Sequence, residues 1–190
     1  MNCRFCNNVL KHEFIDLVNS PLSNSYVDQE QLNEPETFYP LKLLLCENCF
    51  LVQIEEYRKS KDIFNENYAY FSSYSTSWLS HAERYVDTIT EHFGYNEQSS
   101  VIELASNDGY LLQYFQKKHI QVLGIEPAKN VALAAQEKGI ETIVDFFGVK
   151  LAEQLVAQNR KADLIVGNNV FAHVPDINDF VVGMEIILND

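Results

Sequence analysis

The sequence predicts an α/β protein in two parts: a small cysteine-paired module at the N-terminus and a parallel, doubly wound sheet behind it. Three observations predict this. All four cysteines fall at positions 3, 6, 46 and 49, as two C-x-x-C pairs. From Ser99 onward, short apolar runs alternate with amphipathic stretches of helix length. The residues that close those apolar runs are polar or acidic, which puts a ligand site at the carboxyl ends of the strands.

The bulk properties fit. A chain of 190 residues holds one ordinary domain plus a module, and 46% hydrophobic with 22% charged residues describes a packed core rather than disorder. The formal net charge of −13 repels phosphate backbones and argues against general nucleic-acid binding. Met1-Asn2-Cys3-Arg4 leads straight into polar sequence, with no secretory core. No stretch reaches the ~18 apolar residues that span a membrane. The expectation is a soluble cytoplasmic protein with no membrane partner. Thiols stay reduced there, so paired cysteines point to metal.

Cys3, Cys6, Cys46 and Cys49 leave no cysteine over. Each C-x-x-C suits a tight turn that aims two thiolates at one point, and two such turns make a tetrahedral sulfur cage for structural zinc. Four sulfurs leave no open position for chemistry. Four reduced thiols, or a redox dithiol, is the alternative. His12 is the one nearby substitute ligand. The long stretch between the pairs contains two predicted strands, Phe14–Val18 and Leu41–Leu45. The module is assigned to residues 1–60.

Residues 61–97 connect the parts. Tyrosine and serine crowd positions 68–77. They read equally as packing between the parts or as a hydroxyl-bearing wall for a neutral, sugar-like ligand. From Ser77 to Phe93 the apolar residues follow a helical period, and Gly94 ends it.

The Rossmann-like part is assigned to 98–190. Strands are predicted at 101–105, 122–125, 142–144 and 163–166. Helices are predicted at 110–117, 130–138, 149–158 and 178–188. The first strand runs into Glu103-Leu104-Ala105-Ser106-Asn107-Asp108-Gly109. A dinucleotide fold would place G-x-G-x-x-G there; one glycine in a polar, acidic turn suits a ligand with a positive centre and no phosphate. Glu103 and Asp108 are placed to offset a sulfonium charge. Glu126-Pro127 ends the second strand, with Glu126 positioned for ribose hydroxyls. Asp145 follows the third strand toward an adenine amino group, and Asn168 and Asn169 follow the fourth, near a methionyl end. Together these strand ends favour S-adenosylmethionine over a nicotinamide dinucleotide.

The motifs C-R-F-C, P-L-S-N-S-Y, Y-P-L-K-L-L-L-C-E-N-C, Y-A-Y-F-S-S-Y-S-T-S-W-L, S-N-D-G-Y-L-L-Q, G-I-E-P-A-K-N-V and N-N-V-F-A-H-V-P-D occur in that order. The set resembles the zinc-containing sugar-nucleotide C-methyltransferases along essentially the whole chain. The resemblance implies methylation of carbon beside a ketone on a nucleotide-linked deoxysugar. A base removes the α-proton, and the keto oxygen is stabilised as charge develops there. Tyr68, Tyr70 and His173 are the residues implied to line that reaction centre; His173 reads equally as a residue that simply leads into the last helix. Members of that family continue beyond the fourth helix. The resemblance therefore implies a sheet cut after about four strands, an exposed fourth strand, and a further stretch or second polypeptide completing the domain. A non-catalytic zinc-bearing scaffold, half of a split methyltransferase, and a methyltransferase for another small acceptor are the competing readings.

Overall fold

The computed structural model describes residues 1–189. The described residues form two compact units, one of Met1–Ile63 with Pro175–Asn178, the other of Phe64–Val174 with residues 179–189.

In the first unit, β1 (His12–Ser20), β2 (Tyr39–Leu45) and β3 (Val52–Ile54) form an antiparallel sheet in that order. The first two contain the predicted strands. β1 runs further because Val18 takes a left-handed conformation (φ 70°) and donates its N–H to Asp16 Oδ1 at 2.8 Å, a bulge that lets pairing resume at Asn19. β3 was not predicted: three residues are too few for alternation to show. The cluster of buried residues here is small, Cys3, Leu10 and Cys46, with Cys6, Leu44, Cys49 and Leu51 against it. A short helix, α1 (Ser60–Ile63), follows.

The second unit opens with α2 (Thr76–Phe93). The Ser75 hydroxyl caps it by accepting from Trp78 N–H, and Gly94 ends it in the left-handed region at φ 73°. Ala82, Val86 and Thr90, four residues apart, form its buried stripe. Four parallel strands follow: β4 (Ser100–Leu104), β5 (Gln121–Ile125), β6 (Thr142–Ile143) and β7 (Leu164–Val166). The helices between and after them are α3 (Leu112–Lys117), α4 (Lys129–Glu137), α5 (Val149–Ala157) and α6 (Ile177–Ile187).

The sheet order is β6-β5-β4-β7. Successive strands step outward from β4, and then the chain crosses back to place β7 on its other side. That reversal is the switch point where doubly wound sheets hold ligands. Side chains alternate through the sheet. Val101 packs with Val86, Leu112 and Phe115 on one face; Ile102 and Leu104 pack with Leu151, Leu155 and Phe180 on the other. Glu103 shares the parity of Val101.

The helix predicted at 110–117 begins two residues late. Gly109 is left-handed at φ 74°, and the Gln113 side chain donates to the Tyr110 carbonyl at 2.7 Å. That bond takes the acceptor a first helical turn would use. Gly109 also lies against Ile140, where an added Cβ would collide. Gly109→Ala is expected to cost about 1–2 kcal/mol from both effects, read as a lower denaturation midpoint with unchanged m.

Candidate functional site

The two C-x-x-C turns of the first unit are built alike. The N–H of Asn7 closes the first on the Cys3 carbonyl, and that of Phe50 closes the second on the Cys46 carbonyl, each at 2.9 Å. Both closing residues are left-handed, at φ 59° and 62°. The four Sγ atoms lie within 4.8 Å of one another, with Cys3–Cys49 at 3.6 Å and Cys6–Cys46 at 3.5 Å. Sulfurs of a tetrahedral zinc site stand about 3.8 Å apart for Zn–S bonds of ~2.3 Å, so the cage has the right size. Its electrostatics also ask for a cation. Burial opposes the Cys3 thiolate, yet the N–H groups of Cys6 and Phe5 and the Gln53 amide hold its pKa at about 6. The Leu51 N–H favours the Cys49 thiolate, but burial and the three neighbouring sulfurs push its thiol up to about 12. Four thiolates cannot coexist there without a positive charge between them.

Gln53 was not anticipated from sequence. It is buried on β3, donates Nε2–H to Cys3 Sγ at 3.2 Å, and accepts from Arg4 N–H at 2.9 Å. A ligand sulfur held this way loses orientation when its support goes. Gln53→Leu is expected to weaken zinc binding about 10–100-fold in chelator competition. His12 is bound instead to Glu47 at 2.9 Å and lies outside the four-sulfur set.

In the second unit, the turn after β4 passes through the left-handed region three times, at Ala105 (55°), Asn107 (51°) and Gly109 (74°). Only one of these positions is glycine. The other two spend strain to keep the backbone coiled, a cost usually found at ligand sites. Ser106 lies against Gly124 of β5, where any Cβ would strike its hydroxyl. Glu126 braces the turn: its two oxygens accept from Asn107 N–H (3.0 Å) and Ala128 N–H (2.8 Å). Burial raises its pKa, and those two N–H groups draw it part of the way back.

Glu103 is fully buried, and among the described residues neither of its oxygens has a hydrogen-bond partner. Burial raises its pKa well above the ordinary 4.5; the facing Tyr110 hydroxyl opposes this, and the Glu126 and Asp108 charges add to it. Tyr110 in turn accepts from Asn168 Nδ2 at 2.9 Å across the switch point. Asp108 pairs with Lys138 Nζ at 3.2 Å and accepts from the Ser73 hydroxyl. Tyr110, Lys138 and Ser73 are additions to the sequence-based set. Ser106 Oγ, Asp108 Oδ1 and Asn130 Oδ1 are also buried without partners. Among the described residues, unpartnered polar atoms are thus gathered on β4, the turn after it and the first turn of α4.

The remaining sequence-derived residues are dispersed around these strand ends. Pro127 follows Glu126. Asp145 is exposed and accepts from Phe146 N–H. Asn169 is exposed and left-handed. Tyr68 and His173 both face Phe64, at ring-centroid distances of 5.2 Å and 6.5 Å, whereas Tyr70 is half exposed. Phe64, which brings the first two together, carried no signal in sequence.

A family model described as "Putative zinc binding domain" matches residues 3–64, and one described as "Methyltransferase domain" matches 102–190. The protein is therefore an α/β chain with an N-terminal zinc-binding-type module, its four cysteines positioned for a metal, and a Rossmann-like methyltransferase domain. Over 186 residues it is 29% identical to the C-methyltransferase NovU of Streptomyces niveus, a match that takes in 98% of this chain and 44% of that protein. The chain thus spans less than half the length of that relative. Among solved structures, the plantazolicin methyltransferase BpumL in complex with a monoazolic desmethylPZN analog and SAH is 17% identical, with 60% of this chain and 43% of that one covered and a TM-score of 0.46. DesVI of Streptomyces venezuelae is 16% identical, with 61% and 48% covered and a TM-score of 0.46. No helix among the described residues is long and apolar enough to cross a membrane.

Proposed function

We propose that the chain carries the cofactor-binding part of an S-adenosylmethionine-dependent C-methyltransferase that acts on a keto-deoxysugar nucleotide. The observation that carries the cofactor reading is the set of unpartnered buried atoms. Asp108 Oδ1, Asn130 Oδ1 and, once its carboxyl ionises, both Glu103 oxygens accept; the fifth is the Ser106 hydroxyl. A pyrophosphate would meet carboxylates there. A ligand with an ammonium, a sulfonium and hydroxyl or amino donors would satisfy them. Glu103 and Asp108 then face the positive end. Asp145, Asn168 and Asn169 lie beyond neighbouring strands for the rest of the molecule. Ala105, Ser106, Asn107, Gly109 and Pro127 shape the backbone, and Glu126 holds it while keeping a lone pair on each oxygen for a ribose hydroxyl.

When bound, the cofactor would supply an electrophilic methyl group. The residues of this chain would do the remaining work. The His173 imidazole would take the proton from the carbon beside the ketone, and the hydroxyls of Tyr68 and Tyr70 would donate to the oxygen as it gains negative charge. The electron pair freed by deprotonation would form the new carbon–carbon bond as the methyl–sulfur bond gives way, that bond's electrons remaining on the departing neutral thioether. The resemblance in sequence and the similarity to a C-methyltransferase support carbon as the site of methylation. Incubation with methyl-labelled cofactor and a keto-deoxysugar nucleotide is expected to give a label bonded to carbon. A label on oxygen or nitrogen overturns the acceptor assignment.

A further inference from the structure

Within the second unit, the segment Tyr68–Tyr74 is fastened to the turn that follows β4 and to α4. The Ser72 N–H donates to Asn107 Oδ1 at 2.8 Å, and Asn107 Nδ2 donates to the Tyr70 carbonyl at 3.1 Å. One side-chain amide therefore serves two backbone groups, as a neighbouring strand would. Asn130 Nδ2 donates to the Tyr68 carbonyl at 2.8 Å. The Ser73 hydroxyl donates to Asp108 Oδ2. Lys138 Nζ reaches the same oxygen and, at 2.8 Å, the Asp108 carbonyl.

Two of these side chains have a second end that no described residue uses. Asp108 holds the segment through Oδ2 while its Oδ1 is buried and unpartnered. Asn130 holds it through Nδ2 while its Oδ1 is buried and unpartnered. A donor on a bound ligand would satisfy either free atom and, in doing so, fix the rotamer that grips the segment. Unpaired buried acceptors cost free energy, so the grip should be weaker while they stay empty.

We propose that Tyr68–Tyr74 is a strap whose order depends on the cofactor pocket, with Asp108 and Asn130 as two-ended couplers and Asn107 as the positioning residue that clamps the strap. This rests on the reading of that pocket as an adenosylmethionine site. Its consequence is an order of assembly. The strap carries Tyr68 and Tyr70, so the acceptor side is completed only after the cofactor binds, and each ligand strengthens binding of the other.

Amide hydrogen exchange on the whole chain, with and without adenosylhomocysteine, tests this. In the wild type the ligand is expected to slow exchange across the strap about tenfold, with Ser72 N–H the most affected. Asn107→Gly removes the clamp but leaves the left-handed backbone at φ 51° unstrained. It is expected to speed exchange at Ser72 about tenfold in the free protein while β4 and α4 keep theirs. Asn130→Ala should remove much of the ligand-dependent slowing. Ligand binding with no change in strap exchange overturns the coupling. Unchanged Ser72 exchange in Asn107→Gly overturns the clamp. If folded wild type fails to bind adenosylhomocysteine, the cofactor reading falls and the coupling with it, whereas the free-protein comparison still decides the clamp. Faster exchange throughout Asn107→Gly, beyond the strap, also counts against a positioning role.

Discussion

Removing the metal from the four-cysteine cage is expected to unfold the Met1–Ile63 unit. The reason lies in what that unit buries. Its buried cluster is Cys3, Leu10 and Cys46, flanked by the other two cysteines and two leucines. Phe14, Leu17, Val18, Phe38 and Phe50 are all exposed. The sulfur cage therefore stands where a hydrophobic core would be, and small modules without a core depend on such staples. Apparent zinc-binding free energies in modules that fold on metal are about 10–16 kcal/mol, larger than the whole stability of a typical domain. Chelation, or Cys46→Ser, should collapse the signal dispersion of β1–β3 in NMR spectra while residues of β4–β7 keep theirs. Zinc content should be one per chain. A metal-free, reduced protein with β1–β3 intact would contradict the role assigned to the cage.

The second large effect is expected at Glu103. Its carboxyl is buried and stays protonated above the ordinary value of 4.5 in the folded, ligand-free protein. In the unfolded chain it ionises near that value. The unfolded state therefore binds fewer protons as pH rises above about 4.5. The contribution is fully present below the unfolded value and is lost as pH climbs toward the folded one, at up to about 1.4 kcal/mol per pH unit within that window. Asp163 acts with the opposite sign. Asn189 and Ser100 hydrogen bonds outweigh its burial and hold its pKa low, so its contribution is lost as pH falls. It is common to wild type and variant, so the difference isolates Glu103. Glu103→Gln keeps the shape and cannot ionise. Its denaturant stability should fall less than that of wild type as pH rises above about 4.5.

The same substitution should act in reverse on ligand binding. A positive ligand group beside Glu103 stabilises the carboxylate, so binding should release a proton and tighten as pH rises through that window. With glutamine the charge-assisted contact is lost, at about 1.5–3 kcal/mol, or roughly 10–150-fold in affinity. The variant should thus be more stable at neutral pH and a poorer binder, a pairing that plain structural damage does not produce.

Much of this was legible in the sequence because its signals are local. The two C-x-x-C pairs, the alternation of strand and helix from Ser99, and the polar turn at Ala105–Gly109 are each written within a few neighbouring residues. What escaped notice depends on contacts made at a distance. Gln53 meets Cys3 across 50 positions, and Lys138 meets Asp108 across 30. Asn107 reaches Ser72 across 35 and Asn168 reaches Tyr110 across 58. The three left-handed residues of the turn were hidden for a different reason. Glycine usually marks such positions, and here alanine and asparagine occupy two of them.

Calorimetric titration of the zinc-loaded chain with adenosylhomocysteine, for wild type and Glu103→Gln, tests the central claim most directly. Saturable one-to-one binding by wild type, with release of a proton and a loss of about tenfold or more in the variant, is the result expected. A folded wild-type chain that gives no binding heat and no thermal shift, or a variant that binds as tightly as wild type, would contradict the assignment of this turn to the cofactor.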